Sequence, residues 1–165
     1  IRAIGENVNM FYGVNNSTAT DYDTSLFLSS IGLINTLDGW VDNIVKQSII
    51  NNKPVYTRGS HLVSFAQQYH HAWVVDGWFE YTVNTYETTY NANGFPNIET
   101  LFSSSEGTAV HCNFGWGGDY DGYYTSKYFD ICNPRDETMI ESNLGDNISS
   151  NSNYTFNFNI KTITF

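Results

Sequence analysis

Residues 70–77 have the sequence HHAWVVDG, and this stretch gives the strongest indication of the fold. Its centre, residues 72–75, is a continuous apolar run that predicts a β-strand buried on both faces. The Asp76–Gly77 pair that follows predicts a turn, because both residue types favour tight turns. Residues 78–86 would then return as the partner strand of a hairpin. We therefore expect a β-sheet whose central strand begins with two histidines.

The composition indicates one folded and acidic domain. The chain has 165 residues, of which 41% are hydrophobic, so it can bury a sizeable core. Seven Lys and Arg stand against 17 Asp and Glu, which gives a formal net charge of −10. This balance excludes a surface built for nucleic acid or for an anionic membrane. No apolar stretch reaches the roughly 18 residues of a membrane-spanning helix.

The chain changes from helical to strand patterns at Pro54. Apolar residues recur at helical spacing over residues 21–35, with Thr20 or Asp21 as the cap, and over residues 40–51. Further strands are predicted at the segments 55–58, 109–114, 122–129 and 154–165, the last with a change of parity typical of a β-bulge. Helices followed by antiparallel strands predict an α+β domain over residues 1–165.

One segment differs in composition from its surroundings. Residues 79–107 are rich in Thr, Asn, Ser and Gly, especially from residue 87 onward. We expect a long loop or insertion there, since such clusters mark irregular structure.

The adjacent histidines His70 and His71 are the first candidates for chemistry. Neighbours on a strand point to opposite faces, so one can face a cleft while the other faces solvent. The alternative is that both are strand-end residues with local hydrogen bonds and no catalytic role.

Residues 111–118 have the sequence HCNFGWGG and are the second candidate. On a strand, His111 and Asn113 share one face and Cys112 faces away. An Asn113 side chain beside an imidazole can accept its Nδ1–H and leave Nε2 free to act on a nucleophile. The alternative is a glycine-rich turn whose aromatic side chains fill the core.

Several ordered motifs together resemble the streptopain family of papain-like cysteine peptidases. They are HAWVVDG at residues 71–77, NFGWGG at 113–118, DGYY at 121–124, VNMFYG at 8–13, and NKPVY at 52–56 with Gly59. The order and most of the spacings match the family from about residue 5 to residue 134. A set of ordered motifs is far more specific than any one of them.

The resemblance implies a papain-like fold, mainly the antiparallel β lobe with two N-terminal helices. By position it implies that His71 is the catalytic histidine and that Asn113 orients it. The residues implied beside the substrate cleft, or supporting it, are Trp116, His70, Phe114, Gly115 and Tyr12. In the family a thiolate attacks the peptide carbonyl, and the imidazolium protonates the leaving amine.

The nucleophile of the family lies upstream of the matched motifs, at the N-terminus of a long helix. We therefore expect the catalytic Cys on a missing or separate N-terminal segment, which makes this chain a cleaved product or an inactive fragment. Cys112 and Cys132 are not expected to replace it, since Cys112 should point away from the site and Cys132 occupies a C-terminal loop. Alone, the chain should be inactive.

Two positions depart from the family pattern. The residue before the catalytic histidine is usually Gly, and His70 in its place would narrow the cleft. Phe114 replaces a Trp and loses the indole N–H.

We expect no cofactor and no required metal, because the spacing of His71, His111, Cys112 and Cys132 matches no zinc pattern. The expected partners are the Cys-bearing segment and a protein or peptide substrate, and the expected location is bacterial and secreted or at the cell surface. The alternative function is a non-catalytic carbohydrate-binding β-rich module, because four Trp and 12 Tyr suit stacking on sugars.

Overall fold

The computed structural model describes residues 2–13, 17–64, 67–131 and 155–165. Within them the chain forms the helices α1 (Arg2–Asn7), α2 (Asp21–Ser30) and α3 (Asp42–Ile50). It also forms the strands β1 (Phe11–Tyr12), β2 (Ser17–Thr18), β3 (Thr36–Gly39), β4 (Val55–Ser64), β5 (Gln67–Tyr90), β6 (Pro96–Asn113), β7 (Gly122–Thr125), β8 (Phe129–Asp130), β9 (Thr155–Phe156) and β10 (Phe158–Thr164). The mixed α+β prediction is confirmed.

The two predicted helices are present but shorter. Thr20 caps α2 by accepting the N–H of Asp23. The helix ends at Ser30 because the chain turns at Gly32, whose φ of +89° is open to glycine and unfavourable for other residues. In the described residues no helix is long and apolar enough to cross a membrane.

A six-stranded sheet with the order β3-β10-β4-β5-β6-β7 organises the domain, and all its neighbours run antiparallel. The predicted turn at Asp76–Gly77 is wrong, since β5 passes straight through it. The register shifts there instead, between Val75 and Gly77, as in a β-bulge. Gly77 suits this position because a Cβ on it would lie 2.7 Å from the Cβ of His111.

The predicted loop at residues 79–107 is also wrong, because the segment forms the outer half of the β5–β6 hairpin. Pairing continues from Phe79 opposite Ala109 to Tyr90 opposite Pro96. The Oδ1 of Asn91 closes the tip by accepting the backbone N–H groups of Asn93 and Phe95. Its many Thr and Tyr residues favour extended backbone, and this outweighs the turn-forming Asn and Ser. That the segment is an insertion relative to the family stays a prediction.

The core lies on one face of this sheet. Strand β5 contributes Trp73 and Val75 to it, while Val74 between them is 40% exposed, so burial on both faces is wrong for this strand. The other buried members of the main cluster come from α3, from the strands and from the segments that follow β6 and β8: Val45, Val55, Val110, Cys112, Phe114, Tyr124, Phe129, Ile131 and Phe156.

The C-terminal strand β10 lies between β3 and β4 in the sheet. Its pairing with β4 shifts between Phe158 and Lys161, so the bulge predicted from the change of parity is confirmed. Phe156, just before β10, packs under Trp73, with ring centroids 5.7 Å apart. Part of the predicted C-terminal strand, at residue 154, lies outside the described residues.

Gly59 on β4 provides a test of this packing. A Cβ at Gly59 would lie 2.7 Å from Cη2 of Trp73 and 3.3 Å from Cβ of Phe156. Gly59→Ala should therefore lower the free energy of unfolding by about 1–3 kcal/mol, measured by urea denaturation. The matched control is Gly39→Ala on β3, where a Cβ would meet no atom within 4 Å. Equal stability of the two variants would contradict this packing.

Candidate active site

His71 lies on β5, opposite Gly59 of β4 and on the core face of the sheet. Its imidazole stacks on the indole of Trp116, with centroids 4.1 Å apart and planes inclined by 26°. Three further rings surround it at centroid distances of 5.9–6.4 Å: Phe114, Phe156 and Trp73. Aromatic faces thus fix the plane of the histidine ring.

The glycine-rich loop after β6 brings Trp116 onto this ring. At its start the backbone N–H of Phe114 donates to Oδ1 of Asp121 (2.8 Å). The N–H of Gly115 donates to Oδ1 of Asn113 (2.9 Å), which forms a tight Asx turn. Gly115 and Gly117 both have φ of +76°, a conformation that glycine adopts without strain.

A backbone carbonyl orients the imidazole. Nε2 of His71 lies 3.0 Å from the carbonyl oxygen of Phe114. Because a carbonyl only accepts, the neutral ring carries its proton on Nε2, which leaves Nδ1 to exchange a proton with a reacting group. This is the reverse of the predicted tautomer, in which Nδ1–H donated to Asn113.

Asn113 and Cys112 each lie on the face of the sheet opposite to the one expected. Asn113 pairs with Val74 and Cys112 with Val75, so Cys112 shares the core face with His71 and Asn113 does not. Across residues 67–131 no hydrogen bond joins Asn113 to His71. The Asn113 side chain instead holds the turn that places the Phe114 carbonyl and the Trp116 ring.

Cys112 is unsuited to act as a nucleophile although it shares the face of His71. It is 0% exposed, and burial raises the pKa of its thiol well above the ordinary value, with the charge of Asp76 adding to the shift. A buried and protonated thiol is unreactive. Cys132 lies outside the described residues.

His70 points to the other face of the sheet, where its Nδ1 lies 2.6 Å from Oγ of the buried Ser60. The expectation that the two histidines separate is therefore confirmed. From that face, His70 does not narrow the space beside the His71 ring. Burial, followed by the charge of Arg58, lowers the pKa of His70.

Tyr12 is not part of the cluster around His71 in the described residues. It lies on β1, where its hydroxyl occupies the space next to Gly5 of α1. Tyr12 is 52% exposed.

The surroundings of His71 favour its neutral form. Burial lowers the pKa of the imidazole, and the hydrogen bond to the Phe114 carbonyl partly offsets this effect. An adjacent thiolate would raise the pKa again, because an opposite charge stabilises the imidazolium. In the residues that the structure describes, no three His, Cys, Asp or Glu side chains are grouped to hold a metal ion.

Comparison with known proteins shows the family of this chain. A family model described as the Peptidase C10 family matches residues 2–124. The chain belongs to the Peptidase C10 family. This is the streptopain family, so the resemblance inferred from the motifs is confirmed. No curated protein matches the chain.

A solved structure shows the same fold. Active wild-type interpain A, a cysteine protease of Prevotella intermedia, superposes with a TM-score of 0.60 at 21% sequence identity. The match covers 96% of this chain and 51% of that chain, so the present chain spans about half the length of interpain A. The papain-like fold prediction is confirmed.

The Phe114 carbonyl and the Phe156 ring are the groups that sequence reasoning missed. A backbone carbonyl has no signature in residue type, and Phe156 reaches the site only through the pairing of the C-terminal strand. The glycines of residues 115–118 do mark a sharply curved loop, but they do not show what it faces.

Removing the Trp116 ring tests the environment of His71. Trp116→Ala should raise the pKa of His71 toward its ordinary value of 6.5, because the imidazole loses the indole that shields it from water. The shift is measured by titrating the histidine ring signals by NMR. His70 on the opposite face is the internal control, and its pKa should stay unchanged. An unmoved His71 would show that Trp116 does not bury it.

Proposed function

We propose that this chain is the histidine-bearing portion of a secreted, bacterial, streptopain-like cysteine endopeptidase. In this proposal the catalytic Cys comes from an N-terminal segment or from a separate chain. Membership of the Peptidase C10 family supports a peptidase role. The observation that carries the proposal further is the orientation of His71, whose Nε2 lies 3.0 Å from the Phe114 carbonyl, because this leaves the lone pair of Nδ1 to accept a proton.

His71 would act through Nδ1. Its imidazole takes the thiol proton of the incoming Cys, and the thiolate attacks the carbonyl of the scissile peptide bond. Nδ1–H then protonates the leaving amine, and a water completes hydrolysis of the acyl-enzyme with the imidazole as the general base. Throughout, the Phe114 carbonyl accepts Nε2–H, and this bond strengthens when the ring carries positive charge.

The stacked Trp116 supports the same role in two ways. It prevents the ring from rotating away from the Phe114 carbonyl, and it shields the imidazole from water. The proposal therefore assigns proton transfer to His71, and its positioning to Phe114 and Trp116. Asn113 supports the loop that carries both of them.

Sugar binding is disfavoured by the burial of the aromatic side chains around His71. Trp73, Phe114 and Phe156 are only 2–5% exposed, so their faces pack against one another and not against a ligand. Trp116, at 40% exposed, is half-covered by the imidazole.

Replacing His71 tests the proposal directly. In the full-length or two-chain enzyme, His71→Ala should reduce cleavage of a peptide substrate by at least about a thousandfold, since the proposal assigns both proton transfers to this imidazole. His70→Ala is the matched control, because this neighbour faces the other side of the sheet. Retained cleavage in His71→Ala would overturn the assignment.

The source of the nucleophile has its own test. In streptopain-like enzymes a Gln upstream of the Cys stabilises the oxyanion, so the coding sequence upstream of Ile1 should contain a Gln followed by a Cys at the start of a helix. Absence of this pair would exclude the active enzyme in the form proposed.

Asn113 should act as a positioning residue. Asn113→Ala removes the acceptor for the Gly115 N–H and should lower kcat about tenfold through loss of one hydrogen bond that holds the loop. Asn113→Asp keeps an oxygen acceptor at the same place and should restore most of the activity. If Asn113→Ala were as inactive as His71→Ala, a direct role in proton transfer would replace the positioning role.

A further inference from the structure

The outer half of the β5–β6 hairpin, residues 79–107, is an exposed two-stranded arm. β4 pairs with β5 only as far as Val75, and β7 pairs with β6 only from Ala109 onward. Within the described residues no further strand covers either edge of the arm. Its backbone edges are thus open for contact, and residues 84–87 and 89–106 are exposed.

One face of the arm combines acidic and apolar side chains. Alternation along β5 places Thr82, Tyr86 and Thr88 on the side that carries Trp78 at the core. Their partners on β6 share that side, and they are Glu106, Leu101 and Glu99. We call these six residues the arm face. Tyr86 and Leu101 lie directly opposite each other and are 56% and 57% exposed, so they form an uncovered apolar pair.

The charge of the arm has a single sign. Residues 79–107 contain four Glu and no Lys, Arg, Asp or His. In the part of the chain that the structure describes, the cation paired with the arm is Lys46, which lies 2.6 Å from the carboxylate of Glu80. Glu99 and Glu106 therefore keep the arm face negative on both sides of the apolar pair.

A second copy of this chain is a poor occupant for this face. Two arms would bring like charges together, and each chain carries a net charge of −10. A basic polypeptide is the complementary occupant, because it gains from both the carboxylates and the apolar pair.

We propose that the arm face binds an extended segment of the protein substrate in which basic residues flank an apolar one. That the bound segment belongs to a substrate rests on the function proposed above, whereas the binding itself does not. His71 and the arm belong to the same continuous strand, so a substrate bound along the arm is held at a fixed place relative to the site.

The spacing of the arm face defines the segment that fits. Glu106 lies opposite Thr82, and Glu99 lies opposite Thr88, so the two carboxylates are about 20 Å apart along the strand. Along β5, Tyr86 of the apolar pair lies four residues after Thr82 and two residues before Thr88. An extended peptide with Lys at positions 1 and 7 and Leu at position 5 presents all three side chains to this face.

The test is binding of the fluorescein-labelled peptide Lys-Thr-Ser-Thr-Leu-Thr-Lys to the 165-residue chain, followed by fluorescence anisotropy at low salt. A matched peptide, Lys-Thr-Ser-Thr-Leu-Lys-Thr, has the same composition but turns one Lys to the opposite side. We expect the matched peptide to bind several-fold more weakly. Equal affinity of the two, or no binding of the first, would overturn the proposal.

Variants of the arm locate the binding. Glu99→Gln combined with Glu106→Gln should raise the Kd of the first peptide about five- to tenfold. Tyr86→Ser with Leu101→Ser should raise it by a similar factor. The control is Glu87→Gln, which removes a charge from the opposite face of the arm and should change Kd less than about twofold. An equal rise of the Kd in Glu87→Gln would indicate non-specific electrostatic attraction and overturn the proposal.

Self-association is the competing outcome. If sedimentation velocity showed a dimer that Tyr86→Ser with Leu101→Ser abolishes, the arm would be an interface between copies and the proposal would be wrong. Because peptide binding needs no catalytic Cys, its failure leaves the peptidase function untouched. Conversely, inactivity of the assembled enzyme would leave the measured peptide binding intact.

Discussion

The hydrogen bond from Nε2 of His71 to the carbonyl of Phe114 joins the central strand to the glycine-rich loop, and the site depends on it. It fixes which nitrogen of the imidazole is protonated and therefore which one can meet a thiol. It also fixes the height of the loop above the sheet, since Trp116 two residues later stacks on the same ring. Rotation of the imidazole would break both contacts at once.

The His71 ring that makes this bond packs on a layer of aromatic side chains. Gly59 has no side chain, and this lets the Trp73 ring lie against β4 and lets Phe156 approach from the C-terminal strand. Trp73 and Phe114 then form the floor on which His71 rests. The same burial that shapes this floor lowers the pKa of His71, and an anionic partner beside the ring would raise it again. In the proposed function, the thiolate would be this partner.

The long β5–β6 hairpin shows where local sequence patterns fail to predict secondary structure. Thr, Ser and Asn between Phe79 and Gly107 predicted irregular structure, yet the pairing of two long strands overrides these local preferences. The same applies to Asp76 and Gly77, which form a bulge within one strand because His111 of the neighbouring strand occupies the space beside Gly77. Local turn propensity gave the wrong structure in both places, since cross-strand contacts decided the outcome.

The sequence by itself determined the family and the α+β class, because the ordered motifs are read directly from the residue identities. It also determined that His70 and His71 face opposite sides, since alternation along a strand is a property of the backbone. Only the tertiary structure decided which of the neighbouring residues accompanies His71. The face of Asn113 depends on its register with β5, and the acceptor for the imidazole is a backbone carbonyl, which residue type does not encode.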